Sequence, residues 1–436
     1  MKRLLLLLPI ILCGAEMNTS SLSSKKASYD GNALILKGDV QVDHALGKLA
    51  SGLARLEKEE KEGPFSSISL RDDVLITLKD LGNISCAKAD LDFVTMTGKL
   101  LPKAGQLIRF VDLGPDHFSI ASEQADLEFE KEGSSYRVSK LDADGQVQVE
   151  YGADFILDAD HATYVNDGSP HISATPNCKI SHHDDRIEAE RAELYPHLEM
   201  AMLFSPKGIL NPRGIHFCCQ KMSWEHQPQL LTLQGNIVVD DEKLGTLRCH
   251  EEIQIHQKQQ EGKWILSSMV AKGKTELTTC FKQLLICYGQ MELDEQQHLL
   301  TLQSPSNQPI EYFYDQMKLC SDHAQLEYTA EYDPQKLQLS GDVKLQIEET
   351  GSRCATADHC VYLPGEEKMI LTAEDGKNVL FWDKEQDLSV SAREVHVMRV
   401  EEKEIIKGVG NVRFAFTAGE NELLKKLFPF YSGEGS

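Results

Sequence analysis

Apolar and polar residues alternate over short runs in this chain, and the runs recur. One phrase sets an apolar strand before a glycine, then Asp or Asn, then Val or Ile. It runs from Leu34 to Val42, from Leu231 to Val239 and from Leu337 to Leu345. Looser copies run from Leu141 to Val149 and from Ile405 to Phe414. Alternation with a period of two on both sides of the glycine predicts strands with one buried face. A glycine inside such a strand predicts a bulge or bend, where the chain passes from one sheet toward another.

A second phrase opens on a small residue and reaches an apolar one at its sixth position. Cys86 to Leu91, Ser122 to Leu127, Ala159 to Tyr164, Ala189 to Leu194, Ser321 to Leu326 and Ala357 to Tyr362 are examples. In one register it has eleven copies, opening at Ala50, Cys86, Ser122, Ala159, Ala189, Cys219, Cys249, Cys287, Ser321, Ala357 and Ala392 and spaced by 30–38 residues. Trp224 and Val397 also hold the sixth position. In the copies from Ala50, Cys249 and Cys287 the apolar residue is displaced by one. No stripe of helical period runs through these units, and turn signals such as Asn166-Asp167-Gly168-Ser169 separate the runs. Each unit has room for roughly three or four strands, and the whole chain for about forty. Stacked in two sheets at about 4.8 Å per strand, they predict an elongated body of roughly 100 Å.

The prolines from Pro196 to Pro212 mark a boundary. The expected organisation is a first half over 30–195, a boundary over 196–214, a second half over 215–416 and a tail over 417–436. Leu423, Leu424, Leu427 and Phe428 give that tail the pattern of one short amphipathic helix before Pro429, or else a frayed end. At the other terminus, Lys2 and Arg3 precede nine apolar residues, Leu4 to Leu12. That run spans about 14 Å as a helix, roughly half a bilayer core, so it reads as a signal peptide over 1–15 and not a transmembrane helix. Lipid attachment at Cys13 is the alternative, and a linker over 16–29 follows. The expected location is the periplasm.

With 68 acidic against 45 basic residues, the net charge of −23 excludes a protein that grips nucleic acid, because phosphate contacts need clustered Lys and Arg. Charged residues at 26% and a mean hydropathy of −0.33 exclude both a disordered chain and a polytopic membrane protein. No GxSxG, phosphate loop or HExxH is present, so neither catalytic residues nor a cofactor are expected. Asp160-His161, Asp322-His323 and Asp358-His359 recur at one repeat position, which favours a structural role over a metal or an acid–base pair. His182-His183-Asp184-Asp185 is the densest ligand-like run, but neighbouring strand residues point to opposite faces, so no metal is expected. Export makes disulfides available to ten cysteines of the mature chain. Cys86, Cys219, Cys249, Cys287 and Cys360 nevertheless occupy small positions, where cysteine acts as a compact hydrophobe. Mostly free thiols are expected, with Cys218-Cys219 and Cys280/Cys287 left as bridging alternatives.

The alternation of the two phrases behind a signal peptide resembles the OstA-like family, which includes LptA and the periplasmic domain of LptD. The matching residues are Gly38-Asp39-Val40, Gly235-Asn236-Ile237, Gly341-Asp342-Val343 and Gly410-Asn411-Val412, with the second phrases, over most of residues 30–415. The resemblance implies an all-β jellyroll or β-taco, two sheets in a V around an apolar groove that holds lipopolysaccharide acyl chains. It implies a non-enzymatic transport protein that meets other lipopolysaccharide-transport components, or itself, end to end by β-augmentation. This chain is more than twice a typical LptA length and has no C-terminal barrel pattern. Alternation then nominates groove-lining residues: Val40, Val42, Val147, Val149, Ile237, Val239, Val343, Leu345, Val412 and Phe414. The same residues could simply pack sheet on sheet. Two other functions stay open: a structural β-solenoid acting through protein contacts, and an enzyme with an unrecognised site.

Overall fold

The structure, a computed structural model, describes residues 21–416 except 61, 80–81, 115–116, 134, 153–154, 183, 212–213, 243, 261–262, 281, 348–352, 385–387 and 401–402. The expected signal peptide with Cys13, His183 and the tail over 417–436 lie outside the described residues. Within them the chain is all β, with 40 strands and two single-turn 3₁₀ helices, Pro196–Leu198 and Pro364–Glu366. The two turns sit in hairpins, each ended by a left-handed residue, Glu199 or Glu367. Short strands bounded by turn residues account for the all-β outcome. Two of them, Ser21–Ser23 and Lys26–Tyr29, occupy the stretch expected as a linker, and both pair with Ala33–His44.

The chain forms two compact units. Unit 1 comprises Met1–Arg213 and Lys221–Gln227, and unit 2 comprises Gly214–Gln220 and Pro228–Ser436. The division falls at the end of the proline-rich stretch.

Within each unit, strand pairing runs along two antiparallel ladders. In unit 1, ladder A places Val42, Leu49, Ile76, Ile84, Phe110 and Ile120 side by side on successive strands. Ladder B does the same for Leu36, Ala54, Leu70, Ala89, Leu100 and Ala125. Long strands such as Ala33–His44, Gly47–Lys58 and Ser135–Tyr151 contribute one half to each ladder, and the register shifts where they cross. Unit 2 repeats the plan, with Pro334–Ile347 and Arg353–Leu363 as its long strands.

The two sequence phrases are the two directions of this crossing. The glycine phrase carries the chain from B to A. Gly38 and Gly341 have φ of +76° and +78°, and Asp39 and Asp342 follow at +46° and +45°. Two consecutive left-handed residues turn the strand, which favours Gly then Asp or Asn. The small-residue phrase carries the chain from A to B: Ser122 ends a ladder A strand and Gln124 opens a ladder B strand. Between them, one residue's N–H donates to the glycine carbonyl of the other phrase. Lys25, Glu123, Gln220, Asp322 and Arg393 bond in this way to Gly38, Gly145, Gly235, Gly341 and Gly410 at 2.9–3.1 Å. This backbone staple fixes the corner where the ladders meet. The small openers Ser122, Cys249, Cys287, Ser321 and Ala392 are buried there because converging sheets leave little volume.

Hairpins close the strands at the ends away from the corner. Each wall therefore has an inner row next to the corner and a second inner row, two residues further along each strand, next to the mouth.

Candidate apolar trough

The mouth rows separate the two units. In unit 1, ladder B brings Leu56, Ile68, Leu91, Leu127, Leu141 and Tyr164 into one mouth row, and every one is buried. In unit 2 the corresponding row is Ile255, Met269, Leu293, Leu300, Leu326 and Leu337. All six are half-buried. Their corner-side neighbours Ile253, Ala271, Met291, Leu302, Ala324 and Leu339 share that face and are fully buried. The inner face is thus closed at the corner and meets solvent toward the mouth.

The opposite wall of unit 2 behaves alike over part of its length. Val239, Leu247, Leu277, Leu285 and Tyr312 are register neighbours on five strands. Leu247 is buried and the other four are half-buried. Beyond them Leu345, Ala355, Phe381 and Val390 continue the row and are buried. Four strand spacings make the open stretch about 19 Å long on this wall, and five make it about 24 Å on the other.

Unit 1 is closed by contacts that join its ladders across the mouth. His44 on ladder A stacks with Tyr136 on ladder B at 5.5 Å and meets Phe93 at 4.5 Å. Phe118 meets Tyr164 at 5.3 Å, and Phe155 stacks on Trp224 at 6.4 Å. Tyr136 N donates to Ala45 O (3.4 Å), and the Tyr151 hydroxyl donates to Pro196 O (3.2 Å). In unit 2 the described pairs His298–Tyr328 and Tyr328–Tyr332 stay within ladder B. Tyr312 is the polar tip of the unit 2 trough. Burial, with Tyr314 and Tyr362 as neighbours, pushes its phenol up to about 12, so it stays neutral and can donate a hydrogen bond.

The chain is similar in part to LptH. The crystal structure of that protein, from Pseudomonas aeruginosa, is described as the LptA-homologous periplasmic component of the conserved lipopolysaccharide transport device. The match covers 31% of this chain and 95% of that one, at 8% identity and a TM-score of 0.26. A TM-score this low carries no argument about ligand or partner. No family model matches the chain, and no curated protein matches its sequence.

The ten residues nominated from sequence all fall on ladder A or its last turn, so they mark one wall only. Val42 and Val149 lie in the sealed mouth row of unit 1, with Val40 and Val147 beside its corner. Ile237 and Val343 are buried at the unit 2 corner, facing Cys249 and Ala357. Leu345 is in the buried part of the unit 2 row and Val239 in its open part. Phe414 pairs with Val390 on the last described strand and is 48% exposed, and Val412 is 37% exposed.

The facing wall was missed, although the second phrase marks it. Its sixth residues Leu91, Leu127, Tyr164, Leu326, Tyr362 and Val397 all stand in the ladder B mouth rows. The displaced copies fit as well, since Leu56, Ile255 and Leu293 stand in the same rows. There the crossing holds one more residue, as from Ala50 to Leu53, which moves the apolar position on by one.

The remaining polar features are engaged locally. His161 bonds Asp144 at 2.8 Å and Thr163 at 3.1 Å, and Asp160 accepts from Asn177 at 2.6 Å. Asp358 accepts from Glu374 N and Lys377, whose bonds hold its carboxyl below the usual range. His323 and His359 are exposed, and His182 meets Trp224 at 5.0 Å. All ten described cysteines are free thiols, seven of them buried. Burial pushes the thiols of Cys86 and Cys360 up to about 12, so they are inert as nucleophiles at neutral pH.

Proposed function

We propose that this protein is a non-enzymatic periplasmic carrier that holds the acyl chains of a lipopolysaccharide-class amphiphile in the trough of unit 2. One observation carries the reading: both walls of unit 2 present apolar rows that are half-buried over five or six successive strands, with Leu247 the one buried member, while the matching rows of unit 1 are sealed. Each methylene moved from water into such a trough contributes about 0.8 kcal/mol. A trough of about 20 Å exceeds the roughly 15 Å depth of one leaflet's hydrocarbon, so a chain can lie along it. Repeated, nearly equivalent rungs allow a chain to slide. Transfer to or from other lipopolysaccharide-transport components, or a second copy, would use terminal strands such as Arg413–Phe416, which among the described residues pairs on one side only. Export by the N-terminal segment belongs to the same proposal.

The test is co-purification and photo-crosslinking with lipopolysaccharide, using probes at Val239 and Leu300 and at the buried Val343. Crosslinks at Val239 and Leu300 are expected. Protein that neither retains nor crosslinks the lipid would sink the proposal. The sealed interior of unit 1 favours a second reading for that unit alone, a structural β-solenoid acting through protein contacts.

A further inference from the structure

Both open rows of unit 2 run into phenols at the same end. On ladder A, Tyr312 is the last half-buried residue before the row passes through Leu319 to Leu345, both buried. On ladder B, Tyr362 is the register neighbour of Leu337 and follows it in the row. Tyr314 lies two residues beyond Tyr312, on the same face of its strand and nearer the mouth. Tyr314 and Tyr362 are 46% and 37% exposed. The three rings stand near enough that charge on Tyr314 or Tyr362 opposes ionisation of Tyr312. Their hydroxyls differ from those of other tyrosines in the molecule. The hydroxyls of Tyr29, Tyr151, Tyr195, Tyr328 and Tyr332 each donate to a protein oxygen. Those of Tyr312, Tyr314 and Tyr362 have no hydrogen-bond partner among the described residues.

We propose that Tyr312, Tyr314 and Tyr362 form a polar subsite at the end of the trough, which binds the ester or amide carbonyl joining an acyl chain to its headgroup. This subsite presupposes the acyl-carrier reading of unit 2 and adds where the linkage of the chain sits. A neutral phenol offers one O–H, and a carbonyl oxygen accepts it. The inner face supplies no cation beside the three rings: their register neighbours there are Leu285, Leu319, Met317, Leu337 and Met369. Lys318, between Met317 and Leu319, points to the outer face, over the Phe313 ring and 2.7 Å from Glu311. A phosphate or a free carboxylate would need such a charge to offset its desolvation, and an uncharged carbonyl does not. The position suits the same ligand. From Tyr312 back to Val239, ladder A offers four strand spacings, about 19 Å, more than the roughly 15 Å depth of one leaflet's hydrocarbon. A few polar groups at one end of an apolar site fix the orientation of what it holds. Here the carbonyl lies at the tyrosines and the methyl end points toward Val239.

The test compares monolauroylglycerol with its ether analogue dodecylglycerol, in which a methylene replaces the carbonyl. Binding of each to the full chain is measured by calorimetry, for the parent and for a Tyr312→Phe/Tyr362→Phe variant. The parent is expected to bind the ester about tenfold more tightly than the ether, the size of one or two neutral hydrogen bonds. The variant is expected to bind both alike, at the ether's affinity. Equal binding of the two by the parent overturns the subsite and leaves the trough standing. A preference for the ester that survives in the variant also overturns it. If the parent binds neither amphiphile, the trough reading fails and the subsite fails with it. If the double variant loses the ether as well, Tyr312→Phe and Tyr362→Phe are measured singly, beside the infrared carbonyl band of the ester bound to the parent. A band lowered as in a hydrogen-bonded ester, with a reduced preference in either single variant, upholds the proposal, and any other result refutes it.

Discussion

Leu141 in unit 1 and Leu300 in unit 2 are the same residue type at the same place in the same architecture. Each sits in the mouth row of ladder B with apolar register neighbours, Leu127 and Tyr164 for one, Leu293 and Leu326 for the other. Leu141 is buried and Leu300 is half-buried. The strands themselves do not make that difference. It comes from what spans the mouth: aromatic rings and two hydrogen bonds join the ladders of unit 1, while the walls of unit 2 present aliphatic surface to whatever lies between them. One repeat can thus build either a filled core or a trough, depending on a few large residues at the strand tips.

The largest expected effect separates those two leucines. Leu141→Ala should cost about 2–5 kcal/mol, because it opens a cavity in a packed interior. Leu300→Ala should cost about 1 kcal/mol, because less area leaves water when that side chain is placed. Urea denaturation of the two variants checks this, and equal costs would erase the contrast.

His44 sharpens the comparison through pH. It is buried among Phe93 and Tyr136, its Nδ1 accepts from Leu46 N at 3.1 Å, and burial together with the charge of Lys79 lowers its pKa from 6.5 to about 4. The folded state therefore binds this proton less readily than the unfolded chain. The contribution of His44 is fully present above about pH 6.5 and is lost as the pH falls toward 4, by roughly 3 kcal/mol in all. A His44→Leu variant should lack that part of the acid destabilisation. Identical pH profiles for the variant and the parent would remove His44 from the closure of unit 1.

Overpacking should also divide the units. Gly98 lies in the sealed row of unit 1, where an added Cβ would meet Leu91 Cδ2 at 2.6 Å. Gly98→Val should cost about 1–3 kcal/mol. Leu300→Phe has solvent to expand into, so it should leave stability within about 0.5 kcal/mol and reduce lipid retention instead. The smallest effect is one that should not differ between units. Gly145→Ala and Gly341→Ala each force a side chain onto a left-handed residue at the corner, and each should cost about 1 kcal/mol. Thermal unfolding that separates these two would show that the corners are not equivalent.

The corner was legible in the sequence because it depends on local chemistry. Gly38-Asp39 and Gly341-Asp342 announce a left-handed pair wherever they occur, and the small openers announce a place without volume. The apolar wall of ladder A was legible for the same reason, since Val239 and Leu345 follow the glycine at fixed spacing. The state of the mouth was not legible. Contacts such as His44 with Tyr136 and Phe155 with Trp224 join residues far apart in the chain, and nothing near Leu141 or Leu300 announces whether such a contact lies above them. The pattern that marks the facing wall was visible at Leu326 and Tyr362, but an apolar sixth residue has the same spacing whether it packs or lines.

Thiol accessibility at the two leucines tests the central claim most directly. In a background with the exposed Cys218 and Cys280 replaced by serine, Leu300→Cys and Leu141→Cys are each exposed to a small maleimide with and without lipopolysaccharide. The account predicts that Cys at 300 reacts in the free protein and is protected by the lipid, while Cys at 141 stays unreactive in both conditions. Equal reactivity at the two positions, or a reactive position 300 that the lipid does not protect, would contradict it.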